Sequence, residues 1–466
     1  MILSVISPLL TSNDETESLS SKNNPMFSNP ITDIGFEWSL IDNTSGPVDT
    51  VVDDNDNTHV VYNLNQNEIK YATDSSGTWV NQTIASASII GRTVSFGQPV
   101  SIAIDSSGFV HISVHEQDII DRLIYITNKN GTWDWTELSC ECGGYSSIAI
   151  DSNDEIHISH VAMSLDIVKY SHFDGNTWST YTISSNGNGQ TSIAVDQNGD
   201  FHITYHDQLS SSPNIRYVVG SIVGSMVSAD YFPIGNGNYD HPYLSLNNTG
   251  KPQIVAVSIS SNDLELFSYN TSTSVSGNIN FDRTILDTNL VNTYAQHQHQ
   301  IMNIDSNDDI SVLYYNNNGI DLAYQENGIW QSPINLNLPT NGDIGRWISA
   351  DLDSDDKLRI SYMGNYPGNS ASAIHHVRLL PDIYFNSITP NNAELGDTVP
   401  VTITGDGFDM LPKYTKEIDI TNDFDFLVQD YSIFVENPTY DETDLVASYH
   451  FEDDDLVGVK DTSGNE

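Results

Sequence analysis

The chain has 466 residues, with 16 Lys+Arg against 63 Asp+Glu and a formal net charge of −47. That excess excludes non-specific nucleic-acid binding, which needs basic side chains to displace counterions from phosphates, and it repels an anionic membrane surface. Only 17% of residues are charged and 10% are aromatic, too apolar for a disordered acidic chain, and the wealth of Asp, Asn, Ser and Gly favours turns, so an all-β protein is expected.

The chain opens on MILSVISPLL, a short apolar run without the basic flank of a full secretion signal. Residues 1–30 are expected to be a leader, a clipped signal segment followed by a disordered Ser-, Asn- and Asp-rich linker. No run approaches the roughly 18 apolar residues of a membrane span, so no direct membrane insertion is expected of these residues.

From 31 to 380 one phrase recurs: apolar alternation, an Asp-rich turn, apolar alternation again. It reads VDTVVDDNDNTHVVY at 48–62, VSIAIDSSGFVHISV at 100–114, SSIAIDSNDEIHISH at 146–160 and TSIAVDQNGDFHITY at 191–205. It continues as PYLSLNNTGKPQIVA at 242–256, IMNIDSNDDISVLYY at 301–315 and SADLDSDDKLRISYM at 349–363. The turn anchors Asp53, Asp105, Asp151, Asp196, Asn247, Asp305 and Asp353 stand 45 to 58 residues apart, the length of a four-stranded propeller blade. A third strand such as EIKYAT or RLIYIT follows, then a Gly turn and a Trp-bearing fourth strand at Gly77–Trp79, Gly131–Trp133 and Gly328–Trp330. The Trp is expected to pack blade against blade. The seventh unit ends after AIHHVRLL (373–380), whereas GFEWSLID (35–42) precedes the first. The reading is a seven-bladed β-propeller over 31–380, closed by this N-terminal strand, which removes an exposed sheet edge.

These repeats resemble the BNR/Asp-box-like propellers of the sialidase and glycan-binding type, with the G-x-W elements similar to degenerate Asp-boxes. ITPNNAELGDTVPVTITGDGFDM (388–410) resembles the opening of an IPT/TIG module, which implies a partial β-sandwich over 381–440. LVASYHFEDDDLVGVKDTSGNE (445–466) resembles the first strands of a laminin-G/concanavalin-like jelly roll, truncated over 441–466. Together they imply a piece of a longer, extracellular or cell-surface protein of adhesion type.

Two groups of residues bear on chemistry. Asp196, Asn198 and Asp200, and Asp305, Asn307 and Asp309, offer oxygens at alternate positions as calcium loops do, but lack the closing acid. The alternative is a turn in which Asp and Asn bond the local backbone. No cofactor is required; Ca2+ is the ion these turns would take. His59, His111, His157 and His202 repeat in register and are expected to be architectural, bonding the neighbouring blade. The lone Cys140–Cys142 pair offers too few ligands for zinc.

Asymmetric residues at the strand ends are the candidate site. First strands start at Gln98, Tyr145, Gln190, His241, His299, Arg346 and Trp347, and second strands contribute His115, Glu116, His160, His206, Asp207 and Tyr315. Such a rim would hydrogen-bond sugar hydroxyls and stack on sugar rings. GFVHISVHE (108–116) and DFHITYHD (200–207) also look like strand phrases of ulvan-lyase-type propellers. That resemblance implies proton transfer by His115 or His206 with Tyr145 or Tyr315. The reading is a binding or adhesion protein whose partner is a glycan or a surface protein, with the lyase as alternative.

Overall fold

Alternating apolar residues make paired strands only where a turn sends the chain back, and the seven anchors supply that turn. The computed structural model describes residues 36–379 except 118–120, 141–143, 208–214, 236–237, 275–277, 291–299, 317–318, 337, 339–343 and 366–371, together with short strands after 383. At Asp105 the carbonyl accepts Gly108 N at 2.9 Å and the amide donates to Phe109 O at 3.0 Å. Its Oδ1 also accepts Ser107 N and Phe109 N at 3.0 and 2.9 Å. Asp53, Asp151, Asp196, Asn247, Asp305 and Asp353 use one side-chain oxygen in the same way. The third residue after the anchor is left-handed: Gly108, Gly199 and Gly250, or Asp56, Asp154, Asp308 and Asp356 at φ +58 to +65. This is the three-residue hairpin loop, a type I turn ending in a left-handed residue.

The turns build seven antiparallel sheets of consecutive strands. Blade 1 comprises Val48–Val52, Thr58–Leu64, Glu68–Thr73 and Val80–Ser86. Blade 2 comprises Phe96–Ile104, Val110–Glu116, Arg122–Thr127 and Asp134–Cys140. Blade 3 comprises Gly144–Ile150, Ile156–Ala162, Ile167–Phe173 and Trp178–Ser184. Blade 4 comprises Gly187–Val195, Phe201–Asp207, Ile215–Val223 and Met226–Ile234. Blade 5 comprises Tyr239–Leu246, Pro252–Ser258, Leu264–Tyr269 and Phe281–Asp287. In blade 6, Gln300–Ile304, Ile310–Asn316 and Gly319–Glu326 are followed by a split fourth strand, Ile329–Trp330 and Ile334–Asn335. Blade 7 has Ile344–Leu352, Leu358–Asn365 and Ser372–Leu379, and its outermost strand is the N-terminal Phe36–Asp42. The ring therefore closes as the sequence implies.

The recurrent S-I-A-I-D phrase is explained by the seams between blades. The inner edge of each first strand has no strand partner, so its amides need other acceptors. Ser101, Ser147 and Ser192 Oγ accept Ile148 N, Ile193 N and Leu244 N of the next blade at 3.3, 3.4 and 3.1 Å. At the closing seam Ser349 Oγ accepts Thr50 N at 2.9 Å, and Asp351 Oδ2 accepts Val52 N at 2.8 Å. Asp49 Oδ2 accepts Ile102 N at 2.9 Å. Each Ile of the phrase is packed into a core shared by two blades: Ile102 joins Val61 of blade 1, and Ile148 joins Leu123 and Tyr125 of blade 2. The Trp residues sit where the sequence suggested. Trp133 meets Tyr71 at 4.9 Å, Trp178 meets Tyr125 at 5.1 Å, and Trp79 meets His376 across the closing seam at 5.1 Å.

A second link joins neighbouring turns. Ser106 gives its amide and hydroxyl to Asp154 at 2.8 and 2.7 Å. Ser306 does so to Asp356, Ser354 to Asp56, and Asn248 N reaches Asp308 at 2.7 Å.

Trp38–Leu379 form one compact unit. Beyond it, Tyr384–Thr389 pairs antiparallel with Thr402–Asp406, and Ser432–Phe434 with Ser448–His450. Most residues that carry the IPT/TIG-like and laminin-G-like resemblances lie outside the described ones, as do residues 1–30, Cys142 and the side chain of Cys140.

Candidate functional site

The repeated histidines stay within their own blade rather than bonding the next one. Nδ1 of His59, His111, His157 and His202 lies 2.5, 2.5, 2.7 and 2.6 Å from the hydroxyls of Tyr71, Tyr125, Tyr170 and Tyr217. The reason is register. His59 faces Thr73 across the strand pair, so Tyr71, two residues along, shares its face. Nε2 of His59 and His111 reaches its own turn anchor at 3.3 and 3.2 Å. In blade 7 Arg359 takes that position, with Nε 3.0 Å from Asp353 Oδ2.

In the acidic turns, Asp196 Oδ1 holds two amides and its Oδ2 accepts Asn198 Nδ2 at 3.2 Å. Asp305 Oδ1 likewise holds Asn307 N and Asp309 N. Asp309 is turned to Asn327 N and Gly328 N of the next hairpin. These oxygens are engaged with backbone amides.

The rim residues divide. Tyr145 and His241 stand at equivalent places, where a bulge opens the first strand of blades 3 and 5, and both are left-handed at φ +51 and +53. Non-glycine residues held there concentrate at functional sites. Burial raises the Tyr145 hydroxyl above its ordinary pKa, with the charge of Asp240 adding to it. The Tyr145 carbonyl accepts Thr191 Oγ1 at 2.8 Å, beside Gln190, which lines the channel mouth. Tyr145, Gln190 and Asp240–His241, from blades 3, 4 and 5, therefore converge. His206 stands at the end of its second strand, its Cβ over Gly189, and Tyr315 is half-buried at the equivalent place in blade 6.

Other candidates are interior. His160 is fully buried against Ser171 Oγ at 2.9 Å, and burial pushes its pKa down to about 3. Counted from the anchors it matches Val114 and Tyr205, core positions, one residue short of the places of His115 and His206. Trp347 packs into the core between blades 7 and 1 with Val48 and Tyr62. His115 is buried, with Nε2 3.2 Å from Asp121 Oδ1, and burial lowers its pKa. Gln98 and Arg346 lie on first strands, but their side chains, and all of His299, lie outside the described residues.

Three buried carboxylates, Glu116, Asp207 and Glu265, are clamped by arginine. Glu116 is gripped by Arg92 through both guanidinium nitrogens, and Arg122 Nη1 lies at 3.6 Å. Asp207 accepts Arg216 Nε at 2.7 Å. Glu265, which the sequence did not single out, accepts Arg283 Nε and Nη2 at 2.5 Å each. This last pair forms a wall of a cavity of about 570 Å3 where blades 4 and 5 meet. Phe232 and Pro233 line it from blade 4, and Tyr239, Phe267 and Phe281 from blade 5. Ser258, Ser260 and Ser261 add linked hydroxyls, with Ser258 Oγ at 3.2 and 2.9 Å from the other two. A second cavity of about 400 Å3 is the central channel, lined by all seven first strands. Glu265 is missed from sequence because it sits on a third strand, outside the repeated phrase.

No protein-family model matches the sequence, and comparison with curated proteins finds no match. Among solved structures, the BP39L lectin from Burkholderia pseudomallei is similar at 11% identity, over 73% of this chain and 99% of that one, with a TM-score of 0.47. A polysaccharide lyase described as an ulvan lyase is similar at 12% identity, over 72% and 94%, with a TM-score of 0.47. The periplasmic gluconolactonase of Pseudomonas aeruginosa is similar at 10% identity, over 63% and 85%, with a TM-score of 0.43. At such identities none of them says what this chain binds.

Proposed function

We propose that this chain is an extracellular or cell-surface propeller that binds glycans without transforming them, at the cavity between blades 4 and 5. The observation that carries this reading is the buried Glu265 carboxylate paired with the half-exposed Arg283 guanidinium, set among aromatic rings and serine hydroxyls. A carboxylate and guanidinium side by side match the donors and acceptors of adjacent sugar hydroxyls, and the rings cover the apolar face of a pyranose. The volume suits a mono- or disaccharide unit. The pinned state of His115 and the burial of His160 also favour binding over proton transfer. The C-terminal resemblances to IPT/TIG and laminin-G modules fit an adhesion role in the same reading.

The test is calorimetry of the full chain against a panel of cell-wall and algal polysaccharides and their oligosaccharides, with absorbance of unsaturated products followed in parallel. Binding without product is expected, weakened at least about tenfold by Arg283→Lys, which keeps the charge but loses the two-pronged grip. Unsaturated product that vanishes in His206→Ala would replace the binder with a lyase. Failure of any glycan to bind, or binding indifferent to Arg283→Lys, would remove this cavity from the account.

A further inference from the structure

Blade 3 breaks the symmetry of the ring at one point. In blades 1, 2 and 4 the residue across the strand pair from the repeated histidine is Thr73, Thr127 and Val219. In blade 3 it is a second imidazole, His172, directly opposite His157, with ring centroids 4.8 Å apart. Glu155, in the turn four residues after Asp151, lies over both, its Oε2 2.8 Å from His172 Nε2. The ligand atoms of Glu155, His157 and His172 all lie within 4.8 Å of one another.

His157 is only 2% exposed, yet its Nε2 is buried with no hydrogen-bond partner among the described residues. In blades 1 and 2 the same atom reaches the turn anchor at 3.3 and 3.2 Å, whereas in blades 3 and 4 the anchors Asp151 and Asp196 stand off at 4.0 and 3.8 Å. A buried polar nitrogen left unpaired is costly, and in blade 3 this one stands beside a second imidazole and a carboxylate.

We propose that Glu155, His157 and His172 form a binding site for a divalent transition-metal ion of the zinc class. Two imidazoles and one carboxylate are a donor set such ions favour. Tetrahedral bonds of about 2.0–2.1 Å place ligand atoms roughly 3.3 Å apart, so the side chains need to shift by about an ångström or less. Burial pushes the His157 pKa down to about 4, with His172 adding to it. The ring is therefore neutral, as a ligand must be, at ordinary pH. The Tyr170 hydroxyl at Nδ1 then fixes the ring and its tautomer, the usual outer partner of a metal-bound imidazole. Glu155 is about one-third exposed, which leaves the remaining position to water and gives the ion an entry path. The site lies at the turn end of blade 3, apart from the glycan cavity, and does not depend on it.

The experiment is a titration of the metal-free full chain with Co2+, read by visible ligand-field absorption, followed by displacement with Zn2+. His172→Thr installs the residue that blades 1 and 2 carry, and Glu155→Asn the residue of blade 1 (Asn57), so both variants keep a side chain the fold already uses at that place. The expected result is one equivalent of Co2+ with a four-coordinate spectrum and a Zn2+-dependent rise in melting temperature. Both responses should weaken more than about tenfold in each variant. Absence of stoichiometric binding, or a spectrum and affinity unchanged in His172→Thr, would overturn the proposal and leave Glu155–His172 an ordinary ion pair.

Discussion

Asp105 takes on three tasks at once. It closes the hairpin with its backbone, holds Ser107 N and Phe109 N with one carboxylate oxygen, and meets His111 with the other. Hydrogen bonds to a charged acceptor each contribute about 1.5–3 kcal/mol, so Asp105→Ala is expected to cost about 3–5 kcal/mol, read by urea unfolding. A loss below about 1 kcal/mol would show that the turn forms without its anchor. This residue was legible in sequence because turn chemistry is local: Asp bonds the amides that follow it wherever the chain lies. The His–Tyr pairs were legible as a repeated feature but not as to partner. The partner depends on strand register, which no single strand reveals. Glu265 was not legible, since its arginine lies on the next strand and its neighbours come from another blade.

At the scale of the strand, the closing seam differs in charge from the serine seams that follow blades 2, 3 and 4. Where blades 2, 3 and 4 use serine to hold the next blade's inner amide, the seam between blades 7 and 1 uses Ser349 together with Asp351, and Ser349 Oγ donates to Asp49 at 2.6 Å. Burial pushes the Asp351 pKa up to about 6, with Asp49 adding to it, and burial raises Asp49 as well. A carboxyl raised in the folded state stabilises the fold fully below its unfolded value of about 4. That contribution is lost as pH rises through the folded value. The contribution from Asp351 is therefore present near pH 4 and gone by about pH 7, a swing of about 3 kcal/mol. Asp351→Asn keeps an oxygen for Val52 N without the buried charge. It is expected to melt higher than the native chain at pH 8 and to lose much of this pH dependence. A variant that melts lower at pH 8 with the slope intact would mean that the charged form is the stabilising one. The seam was foreseen from the missing seventh G-x-W strand, but its carboxylates were not, because Asp49 and Asp351 read in sequence as two more acids among many.

For the whole molecule, the number of blades and the manner of closure were readable because a blade cannot bury its two apolar faces alone. Each repeat therefore carries the same alternation and the same turn. Phe36–Asp42 supplies the outer strand of blade 7. Deleting it leaves an open sheet edge, and the expected outcome is self-association with an early, broadened melting transition, measured by light scattering and calorimetry. A monodisperse monomer with native melting would show that closure does not depend on the strand. The rim was read less well, since it is assembled from the segments between strands, whose lengths differ from blade to blade. His160 fell inside because it stands one residue nearer its turn anchor than His115 and His206 do, and side chains alternate along a strand.

The third residue of each turn has a mechanical consequence. Where it is Asp, it ties the turn to the one before, so blades 5, 6, 7 and 1 form one tied run and blades 2 and 3 another. Where it is Gly108, Gly199 or Gly250, no side chain exists to make the tie. The turn-to-turn ties are therefore missing between blades 1 and 2, 3 and 4, and 4 and 5, and the last of these places is where the aromatic cavity lies. A sugar wedged there would join blade 4 to the run of blades 5, 6, 7 and 1, adding a link at a place where the turns make none.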